Sequence, residues 1–126
     1  MKKNEFDNLI KERLNNIEEV SYSRKSILEI LLDRIQYDLI DSINTKTDND
    51  DKLKLNFKLN IGEYIKYFGV EESFKNEKYF IKLCASYGID CRIYHRVKSN
   101  SRMYNTYYDF YVDYKIPDNI KKLTLK

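Results

Sequence analysis

The sequence predicts a single α+β domain, and three observations carry that expectation. The segment KLKLNFKLN, 52–60, alternates strictly: Leu53, Leu55, Phe57 and Leu59 fall on one side, Lys54, Asn56 and Lys58 on the other, which is the pattern of a half-buried strand. In ILEILLDRIQYDLIDSI, 27–43, apolar residues recur at three and four, the period of a helix. The last third holds two long runs of period two, IDCRIYHRV and YNTYYDFYVDYKI, which form a hairpin when the chain turns at Asn100-Ser101. With 126 residues, 42% apolar and 34% charged, the chain is long enough for one core and too short for two ordinary domains.

The elements follow in order. Phe6, Ile10, Leu14 and Ile17 lie at helical spacing, predicting an amphipathic helix over 3–19. A second helix starts at SYSRKS, where Ser23 or Ser26 can cap and Ser26-x-x-Glu29 has capping-box spacing. It runs to about 43, and its apolar residues cover so much of the circumference that a central, mostly buried helix is expected. TKTDNDD, 45–51, is a polar, acidic connection. Asn60-x-x-Glu63 repeats the capping-box pattern ahead of Ile61, Tyr64, Ile65 and Phe68, so a short helix over 61–68 follows the strand and ends at Gly69. Ser73 caps a further helix to about Tyr87, with Gly88 at the left-handed position beyond it. Phe74, Phe80, Ile81, Leu83, Cys84 and Tyr87 are expected to pack against the other helices. In the hairpin, Ile89, Cys91, Ile93, His95 and Val97 share the core face with Tyr104, Thr106, Tyr108, Phe110, Val112, Tyr114 and Ile116. A turn at Asn100-Ser101 pairs Ile93 with Tyr108, Cys91 with Phe110 and Arg92 with Asp109; a two-residue slip keeps the faces and changes the partners.

Several function classes find little support. No run of about 18 apolar residues is present and MKKNEFDNLIKERL lacks the apolar core of a secretory signal, so no membrane partner and a cytoplasmic location are expected. Cys84 and Cys91 have no zinc-ligand spacing and are expected to be reduced, small apolar residues, with no metal and no cofactor. Asp48, Asp50 and Asp51 do not make a calcium loop, because Leu53 and Leu59 stand where an EF-hand needs Gly and Glu. His95 is the one histidine and lies on the core face, where a structural role is expected; with no nucleophile-base pair and no Gly-rich phosphate loop, the chain is not expected to be an enzyme.

Charge is divided unevenly. The net charge is +3, but residues 1–51 carry 8 basic and 12 acidic side chains and residues 52–126 carry 15 and 8. A polyanion is therefore met by the second half. The 17 Lys, 12 Asn, 14 Ile and 12 Tyr are also what an AT-rich genome encodes, so position rather than composition has to decide.

The order helix (26–43), strand (53–59), helix (61–68), turn, helix (73–87), strand (89–97), strand (104–116) resembles a winged helix-turn-helix domain, here with an additional N-terminal helix. The resemblance covers about 90 residues and divides the chain into a helix over 1–22, a winged-helix core over 23–116 and a tail over 117–126. It implies binding to double-stranded DNA, with 73–87 as the recognition helix and 97–104 as the wing. Within that family the size, composition and extra helix are similar to small partition adaptors and relaxosome accessory proteins of plasmids and phages.

The side chains agree with that implication. Lys75, Lys78, Tyr79, Lys82 and Ser86 fall on one polar stripe of the 73–87 helix, and Arg96, Lys98 and Arg102 flank Ser99, Asn100 and Ser101 at the hairpin tip. With no Arg and only Asn76 near the stripe, most of its affinity is expected to come from phosphates, and arginine at the tip suits a narrow A·T-rich minor groove. Each group also has a plain reading, a solvated lysine face and an ordinary polar hairpin tip. Helix 3–19 either covers its own core or packs against a second copy, and a homodimer is preferred because such proteins bind paired half-sites. The alternative function is a small phage or plasmid protein that inhibits a host protein by direct contact, suggested by the acidic N-terminal half and the many Tyr.

Overall fold

A computed structural model describes residues 1–18, 20–100 and 103–120, with side chains over 1–14, 20–98 and 105–120. The elements are α1 (Lys3–Glu18), α2 (Tyr22–Ser42) with a short 3-10 turn at Ile43–Thr45, β1 (Lys52–Asn60), α3 (Ile61–Phe68), α4 (Ser73–Ser86), β2 (Ile89–Asn100) and β3 (Met103–Lys115). The strands form one antiparallel sheet in the order β1-β3-β2. The fold class is α+β.

Leu53, Leu55, Phe57 and Leu59 of β1 face α2 to α4, together with Ile89, Cys91 and Ile93 of β2 and Tyr108, Phe110, Val112 and Tyr114 of β3. Leu28, Leu31, Leu32, Ile35 and Leu39 of α2, Tyr64 and Phe68 of α3 and Phe80 and Cys84 of α4 close the core from the other side. Phe110 lies at its centre, stacked on Phe57 at 4.8 Å and 6.0 Å from Phe68. The opposite sheet face carries no helix among the described residues.

Local signals account for most boundaries. Asn60 accepts from the Glu63 amide at 2.8 Å while Glu63 accepts from the Asn60 amide at 3.4 Å, the reciprocal box that starts α3 as β1 ends. Gly69 and Gly88 follow the two helices with φ of 77° and 76°, a conformation in which a Cβ is strained. The turn between α3 and α4 is held from two sides: Arg24 of α2 donates to the Tyr67 carbonyl at 2.7 Å, and Asn76 donates to the Phe68 carbonyl at 2.6 Å. These bonds occupy carbonyls that the end of a helix leaves open.

Four expectations need correction. Helix α2 begins a turn earlier than expected, because Ser21 rather than Ser23 or Ser26 caps it, accepting from the Arg24 amide at 3.2 Å. Ser73 does not cap α4; it lies inside the helix, and Glu72 at the cap position makes no side-chain bond to the backbone. The hairpin takes the two-residue slip: Ile93 pairs with Phe110, Cys91 with Val112 and Arg92 with Tyr111, with Asn100 opposite Met103 as the last pair. Alternation dictates which face a residue takes but leaves an even offset open. Burial is also less complete than the apolar pattern suggests. Ile30, Tyr37, Ile40 and Ile43 are exposed on α2 and the turn after it, as are Phe74, Ile81 and Tyr87 on and just after α4. One sheet face covered by one layer of helices buries only the inward stripe of each helix. Phe6, Leu9, Ile10 and Leu14 of α1 are exposed as well, and α1 makes its contacts on α4 rather than on the sheet.

Candidate nucleic-acid interface

The stripe expected on α4 is only partly present. Lys78, Lys82 and Ser86 are exposed, with the Ser86 hydroxyl donating to the Leu83 carbonyl at 2.6 Å. Lys75 instead reaches back to Glu72 at 3.3 Å, an i−3 ion pair that commits its charge locally. Tyr79 packs against the core edge with the Lys25 ammonium 5.6 Å from its ring centre, and burial raises its hydroxyl pKa above the ordinary value. The outward face of α4 therefore mixes Lys78 and Lys82 with two apolar neighbours, Ile81 and Phe74, the latter 78% exposed. Asn76, the only amide near the stripe, is buried and spends its amino group on the Phe68 carbonyl, so it is structural.

Glu77 had no place in the expected stripe. It is an acid on a helix expected to be basic, but it points inward and is 7% exposed. The Tyr64 hydroxyl donates to its Oε2, and His95 Nε2 lies 2.9 Å from the same oxygen. Burial, and then the Glu77 carboxylate, push the Tyr64 pKa well above the ordinary tyrosine value, so its proton stays available for this bond. Tyr108 stacks on Tyr64 at 3.5 Å and meets His95 edge-on at 4.8 Å. His95 thus ties β2 to α4, although its side chain is 51% exposed and not enclosed in the core as expected. Nothing in the alternation of β2 identifies Glu77 as its partner, because the two come together only in three dimensions.

At the far end of the sheet, β2 and β3 continue beyond Asn60, where β1 stops, so pairs from Val97↔Thr106 to Asn100↔Met103 form a two-stranded projection. Lys98 is exposed on it, opposite Asn105. The Asn100 side chain and Arg102 lie outside the described residues. Arg96 does not belong to the tip. It sits on the outer face of the sheet, its guanidinium 5.1 Å from the centre of the Tyr94 ring and its Nε 3.9 Å from Asp109. The absence of acids near the tip in sequence concealed Asp109, which comes from the neighbouring strand.

That outer face carries rings and charges in register. Across the strands, Asn56, Tyr111 and Arg92 are level, then Lys58, Asp109 and Tyr94, then Asn60, Tyr107 and Arg96. Lys58 lies 5.2 Å from the Tyr107 ring and Arg92 5.8 Å from the Tyr111 ring, while Tyr94 and Tyr111 meet edge to face at 5.5 Å. Asp109, 5% exposed, is enclosed among them: Asn56 donates to it at 2.8 Å and the Tyr111 hydroxyl at 3.1 Å. The alternation that assigns Leu and Ile to the core assigns Tyr94, Tyr107 and Tyr111 outward.

Two further features bear on what the protein does. A groove of about 1150 Å³ opens at the other end of the sheet, floored by Leu39, Ile40, Ile43, Leu53 and Ile116 and bordered by Asp48, Asp50 and Asp51. Lys46 also lines it and pairs with Asp48. Cys84 and Cys91 are both buried, and the neighbouring Cys84 thiol together with burial raises the Cys91 pKa far above the ordinary value, a setting for an inert thiol. Among the described residues no cluster of three His, Cys, Asp or Glu could hold a metal ion, and no helix is long and apolar enough to cross a membrane. No family model matches the chain, and neither a curated protein nor a solved structure is found similar to it.

Proposed function

We propose that the protein is a non-enzymatic, double-stranded DNA-binding protein with a winged helix-turn-helix fold, which meets the major groove with Lys78 and Lys82 of α4 and a minor groove with the β2–β3 projection around Lys98. The observation that carries this reading is topological: α3, a turn with Gly69 at positive φ and α4 precede a sheet ordered β1-β3-β2 whose last hairpin outruns β1. A helix fits the major groove, and exposed lysines supply phosphate contacts. Lys75 and Tyr79, committed to Glu72 and to α2, contribute less than the spacing suggested. The exposed apolar stripe of α1, Phe6, Leu9, Ile10 and Leu14, suits pairing with a second copy, and such a dimer binds paired half-sites as a repressor, partition adaptor or accessory factor of a mobile element.

Gel shift with AT-rich duplex tests the reading. Binding is expected at about 50 mM salt, and Lys78→Ala with Lys82→Ala is expected to flatten the dependence of log K on log salt by about 1.8, or about 0.9 for each phosphate no longer neutralised. No binding by the folded protein at about 50 mM salt refutes it.

A second reading has its own support. Phe74, 78% exposed on the outward face of α4, and the acid-bordered groove suit a protein partner better than DNA. A protein-binding inhibitor would retain a stoichiometric partner from nuclease-treated lysate at high salt and lose it on Phe74→Ser or Ile40→Asp.

A further inference from the structure

The outer sheet face and the outward face of α4 look in opposite directions. Phe80 and Cys84 of α4 enter the core that the inner sheet face lines, whereas Tyr94, Asp109 and Tyr111 project from the other side of the same strands. A straight duplex lying on Lys78 and Lys82 does not reach Tyr94. Whatever the outer face holds is a second ligand.

We propose that this face is a binding platform for single-stranded nucleic acid, whose bases stack on Tyr94, Tyr107 and Tyr111 while its phosphates meet Lys58 and Arg96. An outward strand position accepts almost any polar residue, and tyrosine favours strands, so the rings alone decide nothing. What points to a ligand is that each ring is paired with a cation: Lys58 with Tyr107 at 5.2 Å, Arg92 with Tyr111 at 5.8 Å and Arg96 with Tyr94 at 5.1 Å. Tyrosine rings alternating with cations are the elements of a sequence-tolerant single-strand site, because every base has a face to stack and every nucleotide a phosphate to neutralise.

The acids on this face limit the site and show its direction. Asp109 at the centre is 5% exposed and its oxygens are occupied by Asn56, Tyr111 and Arg96, so little of its charge meets a phosphate. Asp113 and Asp90 lie 3.2 and 3.9 Å from Arg92 and consume its charge. Arg96 is itself partly answered by Asp109 at 3.9 Å, so the positive field is strongest at Lys58, and the strand runs from Tyr111 toward Tyr107.

The face suits a single strand better than the major groove of a duplex. Three strands spaced about 4.8 Å apart, with side chains on both edges, are broader than the two-stranded ribbon that a major groove admits. Bases inside a duplex are stacked on each other and offer no face to a ring.

The proposal does not rest on the duplex reading, and one set of measurements separates them. Fluorescence anisotropy would compare a labelled oligothymidylate of about 12 nucleotides, within the site size of one such platform, with a labelled AT-rich duplex. Oligouridylate in parallel tells a DNA ligand from an RNA one; tight binding of either supports the platform. Tyr94→Leu with Tyr107→Leu leaves the Asn56–Asp109–Tyr111 bonds in place and is expected to weaken single-strand binding about 10-fold or more, because two bases then have no ring to stack on. Tyr94→Phe with Tyr107→Phe, which keeps both rings, is expected to restore it. Duplex affinity should change less than about twofold in either variant, since neither ring reaches that ligand. Failure of the folded wild-type protein to bind either single strand at about 50 mM salt overturns the platform, whatever happens to the duplex. It is equally overturned if the double Leu variant keeps the single strand while Lys78→Ala with Lys82→Ala loses it. Loss of both ligands in a folded double Leu variant also overturns it, because the two faces are then not separate. A protein that binds the single strands and not the duplex upholds this proposal and refutes the duplex reading.

Discussion

Two basic surfaces of this molecule hold their charges differently. On α4, Lys78 and Lys82 are exposed beside the apolar side chains of Phe74 and Ile81. On the outer sheet face, Lys58, Arg92 and Arg96 each lie over a tyrosine ring, and a buried Asp109 fastens the lattice beneath them. A lysine ammonium meets a phosphate as a point charge and carries little information about bases. A cation already seated over a ring loses less freedom on binding and presents a flat, preorganised surface. A net charge of +3 therefore says less about ligand class than the packing around each charge does.

The largest effect should erase both surfaces at once. Phe110 is fully buried and touches Phe57 and Phe68, so Phe110→Ala is expected to cost about 3–5 kcal/mol in urea unfolding and to take α4 and the outer face with it. Removing the fastening under one surface should separate them: Asp109→Ala leaves the Tyr111 hydroxyl without its acceptor and Asn56 with only the Phe110 carbonyl, and is expected to cost about 1–3 kcal/mol. Duplex affinity at matched folded fraction should be unchanged, and an equal loss at both surfaces would remove the distinction between them.

The bond that joins α3 and α4 to the sheet makes a pH prediction. Tyr64 has its pKa raised above the ordinary 10.0 by burial and then by Glu77, so its neutral form is favoured in the folded state. The stability this contributes is complete below about pH 10 and is lost as the pH rises above it, because the unfolded chain releases that proton first, with a slope of up to about 1.4 kcal/mol per pH unit. Tyr64→Phe should show a shallower alkaline decline in chemical unfolding; an unchanged slope contradicts the assignment. The smallest effect concerns α4 alone. Lys75→Ala should reduce the salt slope of duplex binding by much less than the about 0.9 expected for Lys78→Ala, since Lys75 already answers Glu72.

What is legible in the sequence follows the range of the interactions. The Asn60–Glu63 box, the glycine after each of α3 and α4 and the alternation of β1 are decided within a few residues, and each stands where the pattern puts it. The hairpin faces are legible for the same reason, but the offset is not, and the two-residue slip moves Arg92 from Asp109 to Tyr111. The buried roles of Asn76 and Glu77 are not legible, because their partners, Phe68, Tyr64 and His95, lie 8, 13 and 18 residues away. The Lys75–Glu72 pair has a legible i−3 spacing that the longer lysine stripe obscures. The outer-face lattice needs both the alternation and the pairing. Alternation alone shows which side Tyr94 and Tyr111 take, and only the sheet brings Lys58 and Arg92 onto the rings.

The most direct test is amide chemical-shift mapping by NMR, with duplex and oligothymidylate titrated separately into the same labelled protein. Two separate footprints are predicted: the duplex should shift the outward side of α4 from Lys78 to Ser86 and the projection beyond Val97, and the single strand should shift Lys58, Arg92 to Arg96 and Tyr107 to Tyr111. One common set of residues moving with both ligands, or no movement with either, would contradict the presence of two distinct nucleic-acid surfaces.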